Sequence, residues 1–389
     1  MNSPSSSPPV FDGLVVLGAT GSVGQQTLAV AGRLGIPIRG LAAGRPGTAL
    51  LELAAAHPDA ALAVAGGSGS DRGAFETAVG RPVAFGTEAV IAMAATPSSI
   101  VMNGIVGAAG LSSTLAALEA GNLLGLANKE SLVAGGSLIP AALARGGTLV
   151  PVDSEHSALH QLLAGRSNSD VDSLILTASG GPFRGRRRQD LDDVTPEQAL
   201  QHPTWRMGGR ITVDSATLVN KGLEVLEAHV LFGVDFDRIE VVVHPQSLVH
   251  ALVRLTDGAL LAHIGHTDMR VPIQYALTYP NRAASGLEPF DLVGRRLDFE
   301  APDLETFPAL ALAYLAGRRG GAMPAVYNAA DEVAVAAFFQ GRLGFNAIPM
   351  IIEATMTEMA GADATTLDEV LAVDAHARAV AASLIAGSC

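Results

Sequence analysis

Cysteine is all but missing from this sequence: the only one among 389 residues is Cys389. That excludes an intramolecular disulfide and any zinc site built on several thiolates, and it fits a reducing compartment, so a cytoplasmic location is expected. Basic charge is scarce as well, with 25 Lys plus Arg against 38 Asp plus Glu and a formal charge of −13. So acidic a chain suits a nucleic-acid backbone poorly; no nucleic-acid partner is expected, and a small anionic ligand would need a local basic pocket. The first residues, MNSPSSSPP, are polar and proline-rich, without the basic and apolar blocks of a signal peptide, so residues 1–12 read as a flexible tail. Mean hydropathy is +0.34. Yet the longest apolar runs are broken by Gly, Pro or charge well before the roughly 18 residues that a membrane-spanning helix needs, and no membrane partner is expected.

What is abundant is apolar bulk, 49% of the residues, in a chain too long for one ordinary core, so two or three domains follow. Between residues 10 and 150 short runs with Arg39 as their one charge (Leu14 to Leu17, Ile38 to Leu41, Ala60 to Val64, Ile100 to Met102, Thr148 to Val152) alternate with Ala- and Leu-rich stretches of helical length. That rhythm predicts βαβ units and a doubly wound parallel sheet covered on both faces. From 151 to 280 the strand signals Ser173 to Thr177, Ile239 to Val243, Leu248 to Leu255 and Ala259 to His263 crowd together, with a helix near 218 to 232, which predicts an α+β region. Thr256-Asp257-Gly258 between the last two runs predicts a hairpin. Beyond the Pro- and Gly-bearing stretch 280 to 308, helical spacing dominates.

Three features carry chemistry. The first is Leu14 to Gly24, an apolar strand running into Gly18-Ala19-Thr20-Gly21-Ser22-Val23-Gly24 and then a helix from Gln25 to Gly32. Glycines there let backbone N–H groups at a helix start approach a diphosphate, although a plain glycine-bearing turn has the same look. Arg45, after Leu41-Ala42-Ala43-Gly44, puts a cation where an NAD site usually has an acid; it points to the 2′-phosphate of NADP or is an isolated surface arginine. The second feature is Pro151-Val152-Asp153-Ser154-Glu155-His156. In extended chain Asp153 and Glu155 share a face, either as a cation site or as solvated loop acids. The third is His202-Pro203-Thr204-Trp205-Arg206-Met207-Gly208, followed by Asp214-Ser215 and Asn220-Lys221-Gly222-Leu223-Glu224. On a helix starting near Thr217, Asn220, Lys221 and Glu224 share a face, suited to phosphate and metal or to a solvated i,i+3 ion pair. The lone tryptophan, Trp205, lies in a Gly- and Pro-flanked segment suited to a mobile lid, with a core role as the alternative. Three carboxylates without a cysteine site favour Mg²⁺ or Mn²⁺ over zinc. His244 and His250 lie on apolar runs and read as structural; His156 is open.

Taken in order, these motifs, with Ile105-Val106-Gly107-Ala108-Ala109-Gly110, Leu126 to Leu132, Ser179-Gly180-Gly181-Pro182-Phe183 and His244 to Ser247, resemble the 1-deoxy-D-xylulose 5-phosphate reductoisomerase family from about residue 12 onward. The resemblance implies an NADPH-dependent oxidoreductase of isoprenoid-precursor biosynthesis. It would be a homodimer acting on a sugar phosphate and yielding 2-C-methyl-D-erythritol 4-phosphate. It implies an NADPH-binding domain over 13–152, a catalytic and dimerisation domain with a lid over 153–279, a linker over 280–304 and a helical domain over 305–389. Thr20, Gly21, Ser22, Val23, Gly44, Arg45, Asn128, Glu130 and Gly208 match cofactor positions; Asp153, Glu155 and Glu224 match metal ligands. Ser154, Glu155, Ser179, His202, Trp205, Met207, Ser215, Asn220, Lys221 and Glu224 match substrate positions, with Trp205 and Met207 in the lid. Lys129 and His202 join Glu155 and Glu224 as catalytic candidates. Pro46 and Gly209 depart from the pattern, which more often has a polar residue at the first and a basic one at the second. Two rivals stand against this reading. A phosphate-dependent semialdehyde dehydrogenase would need a thiolate that Cys389 is badly placed to supply, and a non-catalytic NADP or sugar-phosphate binder would not require the acids.

Overall fold

The computed structural model describes residues 11–205 and 208–387, which divide into two units. Met207, Cys389 and the first ten residues of the expected tail lie outside the described residues.

The first unit comprises the described residues through Asn128, with Ala141–Asp153 and Asp268–Glu288. Seven strands, β1 (Gly13–Leu17), β2 (Ile38–Ala43), β3 (Ala61–Val64), β4 (Ala84–Phe85), β5 (Ser99–Asn103), β6 (Leu123–Leu126) and β7 (Thr148–Pro151), form one sheet in the order β4-β3-β2-β1-β5-β6-β7. Every ladder is parallel. β1, β5 and β6 are buried along their whole length, as strands covered by helices on both faces must be. The order reverses at β1, so the crevice beyond the carboxyl ends of β1 and β5 is the topological switch point. The helix Arg270–Thr278 packs against the helix Ser22–Leu34 and puts Ile273, Tyr275, Ala276 and Leu277 into this unit's core.

The second unit comprises Lys129–Pro140, Ser154–Thr267 and the described residues from Pro289 onward. Its strands β8 (Val171–Ala178), β9 (Ile239–Val243), β10 (Val249–Leu255) and β11 (Leu260–Ile264) lie in the order β11-β10-β8-β9. β8 pairs with β9 in parallel, while β10 pairs antiparallel with β8 and, through the expected hairpin, with β11. Gly258 turns that hairpin at φ 87. The helices Ala309–Arg319, Met323–Phe339, Ile348–Glu358 and Leu367–Gly387 share one apolar core with this sheet and the helix Val219–Phe232. Gly222 makes the closest helix approach workable: a Cβ there would lie 2.6 Å from Ala313 Cβ and 2.8 Å from the Tyr327 hydroxyl.

Among the described residues Leu367–Gly387 is one helix long and apolar enough to cross a membrane, although the apolar runs of the sequence had pointed to none. Its Val370, Ala377, Val380, Ala381 and Ile385 are buried, and Asp374 and Arg378 pair one turn apart at 2.7 Å. It packs on the helices Met323–Phe339 and Ile348–Glu358.

Candidate active site

In the first unit, β1 ends in the glycine turn at the switch point. Gly18 has φ 78, and Gly21 caps the helix Ser22–Leu34 without a side-chain bond, so the N–H groups of its first turn are left for a ligand. Gly24 is dictated by contact: a Cβ would stand 2.4 Å from Gly18 O and 2.7 Å from Ala19 Cα. Thr20, Gly21, Ser22 and Val23 line this turn, and Gly44 and Arg45 are exposed just past β2. Asn128 is buried; its amide donates to the carbonyls of Ile105 and, at 2.9 Å, Gly107, bracing the loop after β5. The cofactor candidates Glu130 and Gly208 lie in the second unit, where Gly208 caps the helix Gly209–Thr217.

The chain has two lysines, Lys129 and Lys221, and both are buried in the second unit around one carboxylate. Leu218, at φ 63, breaks the chain between the helices Gly209–Thr217 and Val219–Phe232 and sets Asn220, Lys221 and Glu224 on the opening turns of the second helix. Glu224 is 1% exposed. It accepts hydrogen bonds from Asn220 Nδ2 at 2.6 Å and from Lys221 Nζ, and Lys129 Nζ stands 3.6 Å away. Lys129 Nζ also donates to Asn220 Oδ1 at 2.6 Å, and Lys221 Nζ to Glu155 Oε1 at 3.0 Å. The same-face arrangement is therefore present, and burial removes the alternative of a solvated ion pair.

Asp153 lies two residues before Glu155 in the chain, and ligand oxygens of Asp153, Glu155 and Glu224 fall within 4.8 Å of one another. The route differs from the extended chain expected from sequence. β7 stops at Pro151 and the helix Ser154–Leu163 starts at Ser154, so Asp153 sits in the connection and Glu155 in the first helical turn. A helix N-terminus favours an acid there, and Ala158 and Leu159 supply its buried face. Ser154 donates its hydroxyl to Glu155. Three oxygen donors and no thiolate or imidazole in the group fit a hard divalent cation, Mg²⁺ or Mn²⁺, whose charge would offset theirs.

A second group gathers Ser179, His202 and Ser215. His202 Nδ1 accepts the backbone N–H of Thr204 at 3.2 Å and of Trp205 at 2.9 Å, which leaves the ring proton on Nε2. That nitrogen meets Ser179 Oγ at 2.9 Å and Ser215 Oγ at 3.1 Å. Burial lowers the pKa of His202 below its ordinary 6.5, so the ring is neutral at physiological pH. Trp205 is half-buried.

Family models described as 1-deoxy-D-xylulose 5-phosphate reductoisomerase and its C-terminal domain match residues 14–136 and 149–232, and a DXP reductoisomerase C-terminal domain matches 264–380. The reductoisomerase of Halothermothrix orenii is 46% identical over 385 residues, covering 97% of this chain and 99% of its own. The chain belongs to the 1-deoxy-D-xylulose 5-phosphate reductoisomerase family. The Xanthomonas campestris pv. campestris (strain 8004) reductoisomerase is 55% identical over 297 residues, 75% of each chain. Among solved structures, the Zymomonas mobilis reductoisomerase in complex with NADPH superposes with a TM-score of 0.88 at 41% identity, covering 96% of this chain and 98% of that one. A DOX-P reductoisomerase in complex with NADPH, fosmidomycin and magnesium gives 0.90 at 37% identity with the same coverage.

Two features of this reductoisomerase chain escaped sequence reasoning. His156 is fully buried and structural: Nε2 donates to the backbone carbonyl of Glu224 at 2.9 Å, tying two helix starts together. Arg210 is the hub of an ionic cluster, and its only local signal was the i,i+4 spacing to Asp214. His244 donates from Nδ1 to Asp298 O at 2.8 Å, but its buried Nε2 has no hydrogen-bond partner, so only half of that ring is satisfied. His250 Nε2 meets His266 O at 3.2 Å.

Proposed function

We propose that this chain converts 1-deoxy-D-xylulose 5-phosphate into 2-C-methyl-D-erythritol 4-phosphate, using NADPH and a divalent cation, in isoprenoid-precursor biosynthesis. The observation that carries the reading is the trio Asp153, Glu155 and Glu224 with the chain's only two lysines beside it, in a member of this family.

Thr20, Gly21, Ser22 and Val23 bind the cofactor's diphosphate through the open helix start, and Gly44 and Arg45 take its 2′-phosphate. Asn128, Glu130 and Gly208 complete the cofactor set. Asp153, Glu155 and Glu224 would hold the cation, which supplies electrophilic stabilisation of charge developing on substrate oxygens. Lys221, Asn220, Ser215 and Ser179 bind the substrate phosphate, and the neutral His202 donates its Nε2 proton to it. Binding energy spent on that remote group orients the reacting end. Ser154 and Lys129 contact the substrate's hydroxyl-bearing carbons, with the Lys129 ammonium meeting negative charge as one carbon–carbon bond breaks and another forms. NADPH held there would supply hydride to the branched aldehyde so produced. Trp205 and Met207, in the lid, exclude water from it.

The remaining assignments are the division into cofactor (13–152), catalytic (153–279) and helical (305–389) domains, a cytoplasmic location and a homodimer. A chain unable to form an internal disulfide supports the location. The edge strand β11, with exposed Leu260, and exposed Leu292, Val293 and Phe299 support a dimer through the second unit, which light scattering would test.

Purified protein with NADPH, Mg²⁺ or Mn²⁺ and the substrate should consume reduced nicotinamide, and EDTA should stop it. An absence of metal-dependent NADPH oxidation overturns the reading. Glu224→Gln should lose activity yet bind NADPH; full activity in that variant removes Glu224 from the cation site.

A further inference from the structure

The helix Lys129–Gly135 is only seven residues long and carries two charges at its start that face different centres. Lys129 reaches Asn220 and Glu224. Glu130 accepts a hydrogen bond from Arg210 Nη1 at 2.7 Å. Arg210, on the first turn of the helix Gly209–Thr217, also donates to Asn328 and Asp331, both at 3.1 Å, and pairs with Glu332 at 3.2 Å and Asp214 at 3.4 Å. One guanidinium thus neutralises carboxylates from three helices, including Met323–Phe339 of the helical region. Asp214 and Asp331 each keep one buried oxygen, and Arg210 its buried Nε, with no hydrogen-bond partner, so the cluster is held by charge as much as by hydrogen bonds. Arg378 pairs with Glu332 at 2.9 Å, so without the Arg210 guanidinium Glu130 would face Asp214 and Asp331 uncompensated, and the repulsion would act on a helix start whose preceding residue in the chain is Lys129.

We propose that Arg210 is a positioning residue for Lys129, acting through Glu130, and that the helix Met323–Phe339 thereby helps to set the active centre. The kinetic part of this inference rests on the reductoisomerase reading; the positional part does not.

Because the chain has two lysines, reductive methylation of the full-length protein, read by peptide mass spectrometry, follows Lys129 and Lys221 separately. In Arg210→Gln the methylation rate of Lys129 should rise about fivefold or more while that of Lys221 stays within about twofold, and kcat should fall roughly 30-fold with KM changed less than about threefold, the split expected when orientation rather than binding is lost. Arg210→Lys should restore both measurements to within about threefold of wild type, since it keeps the charge at the hub. If Arg210→Gln does not fold, Glu130→Gln should give the same selective rise at Lys129. Three results overturn the proposal: an unchanged Lys129, both lysines rising together, or Arg210→Lys as impaired as Arg210→Gln. If wild type oxidises no NADPH while the selective rise persists, the reductoisomerase reading fails and the positional role stands.

Discussion

Lys221→Met tests the electrostatics of the carboxylate centre. The substitution keeps an unbranched side chain one atom shorter and removes the ammonium with its charge and donors. In the wild type the ammonium lies between Glu155 and Glu224, whose side chains are 16% and 1% exposed, with the lysine at 4%. Removing one partner of a buried ion pair costs about 3–5 kcal/mol because the other charge stays buried without it. Glu155 keeps some water and Lys129 remains 3.6 Å from Glu224, so the low end, about 3 kcal/mol, applies. A divalent cation reverses this. In the wild type the ammonium competes for the oxygens the cation needs, so the variant should bind it more tightly, and a Kd roughly 30-fold lower offsets about 2 kcal/mol of the loss once both proteins are saturated. Urea unfolding followed by far-UV circular dichroism should therefore show a gap of about 3 kcal/mol between wild type and variant in EDTA, shrinking to under about 1 kcal/mol in saturating Mg²⁺. A gap below about 1 kcal/mol in EDTA, or one that Mg²⁺ leaves unchanged, refutes the reasoning.

Gly24→Ala forces a Cβ against Gly18 O and Ala19 Cα, both backbone, so the turn must open. Overpacking of that kind costs about 1–3 kcal/mol, and NADPH affinity by fluorescence titration should fall about tenfold or more; unchanged affinity would place the cofactor elsewhere. Arg45→Ser should weaken NADPH roughly 10- to 100-fold and leave NADH unaffected, a loss confined to charge-assisted bonds with the 2′-phosphate; equal weakening of both would reassign Arg45. Burial lifts the Asp331 carboxyl from 3.8 to about 6. Since the folded chain holds that proton more tightly than the unfolded one, the favourable contribution is full below about pH 4 and is lost by about pH 6, up to about 3 kcal/mol in all. The difference in urea stability between Asp331→Asn and wild type should grow in the variant's favour across that window; a difference independent of pH would refute the shift.

Most of the first unit was legible because parallel strands buried on both faces leave runs almost without charge that stand out between Ala-rich helices. The two strands the pattern missed show its limit. β6, Leu123-Leu124-Gly125-Leu126, has no β-branched residue and blends into the leucine-rich sequence on either side, and β4 is two residues long. In the second unit the spacing of Asn220, Lys221 and Glu224 was read correctly, since i,i+3 and i,i+4 neighbours are fixed by helix geometry alone. Asp153 and Glu155 were paired for the wrong reason, because alternation over three residues cannot separate a strand end from a helix start. Arg210 stayed hidden because its partners Glu130 and Asp331 are 80 and 121 residues away in sequence, and no local pattern encodes such contacts.

Neither unit is made from one continuous stretch of chain, and this governs the order in which the protein can fold. The first core needs Ile273 and Ala276, contributed about 120 residues after β7 closes the sheet, and the second needs Val380, Ala381 and Ile385 from the helix Leu367–Gly387. During synthesis both cores stay open long after most of their strands exist, with apolar faces of the seven-stranded sheet exposed in the interval. The expected consequence is slow maturation and a dependence on chaperones that a protein with contiguous domains of the same size would escape.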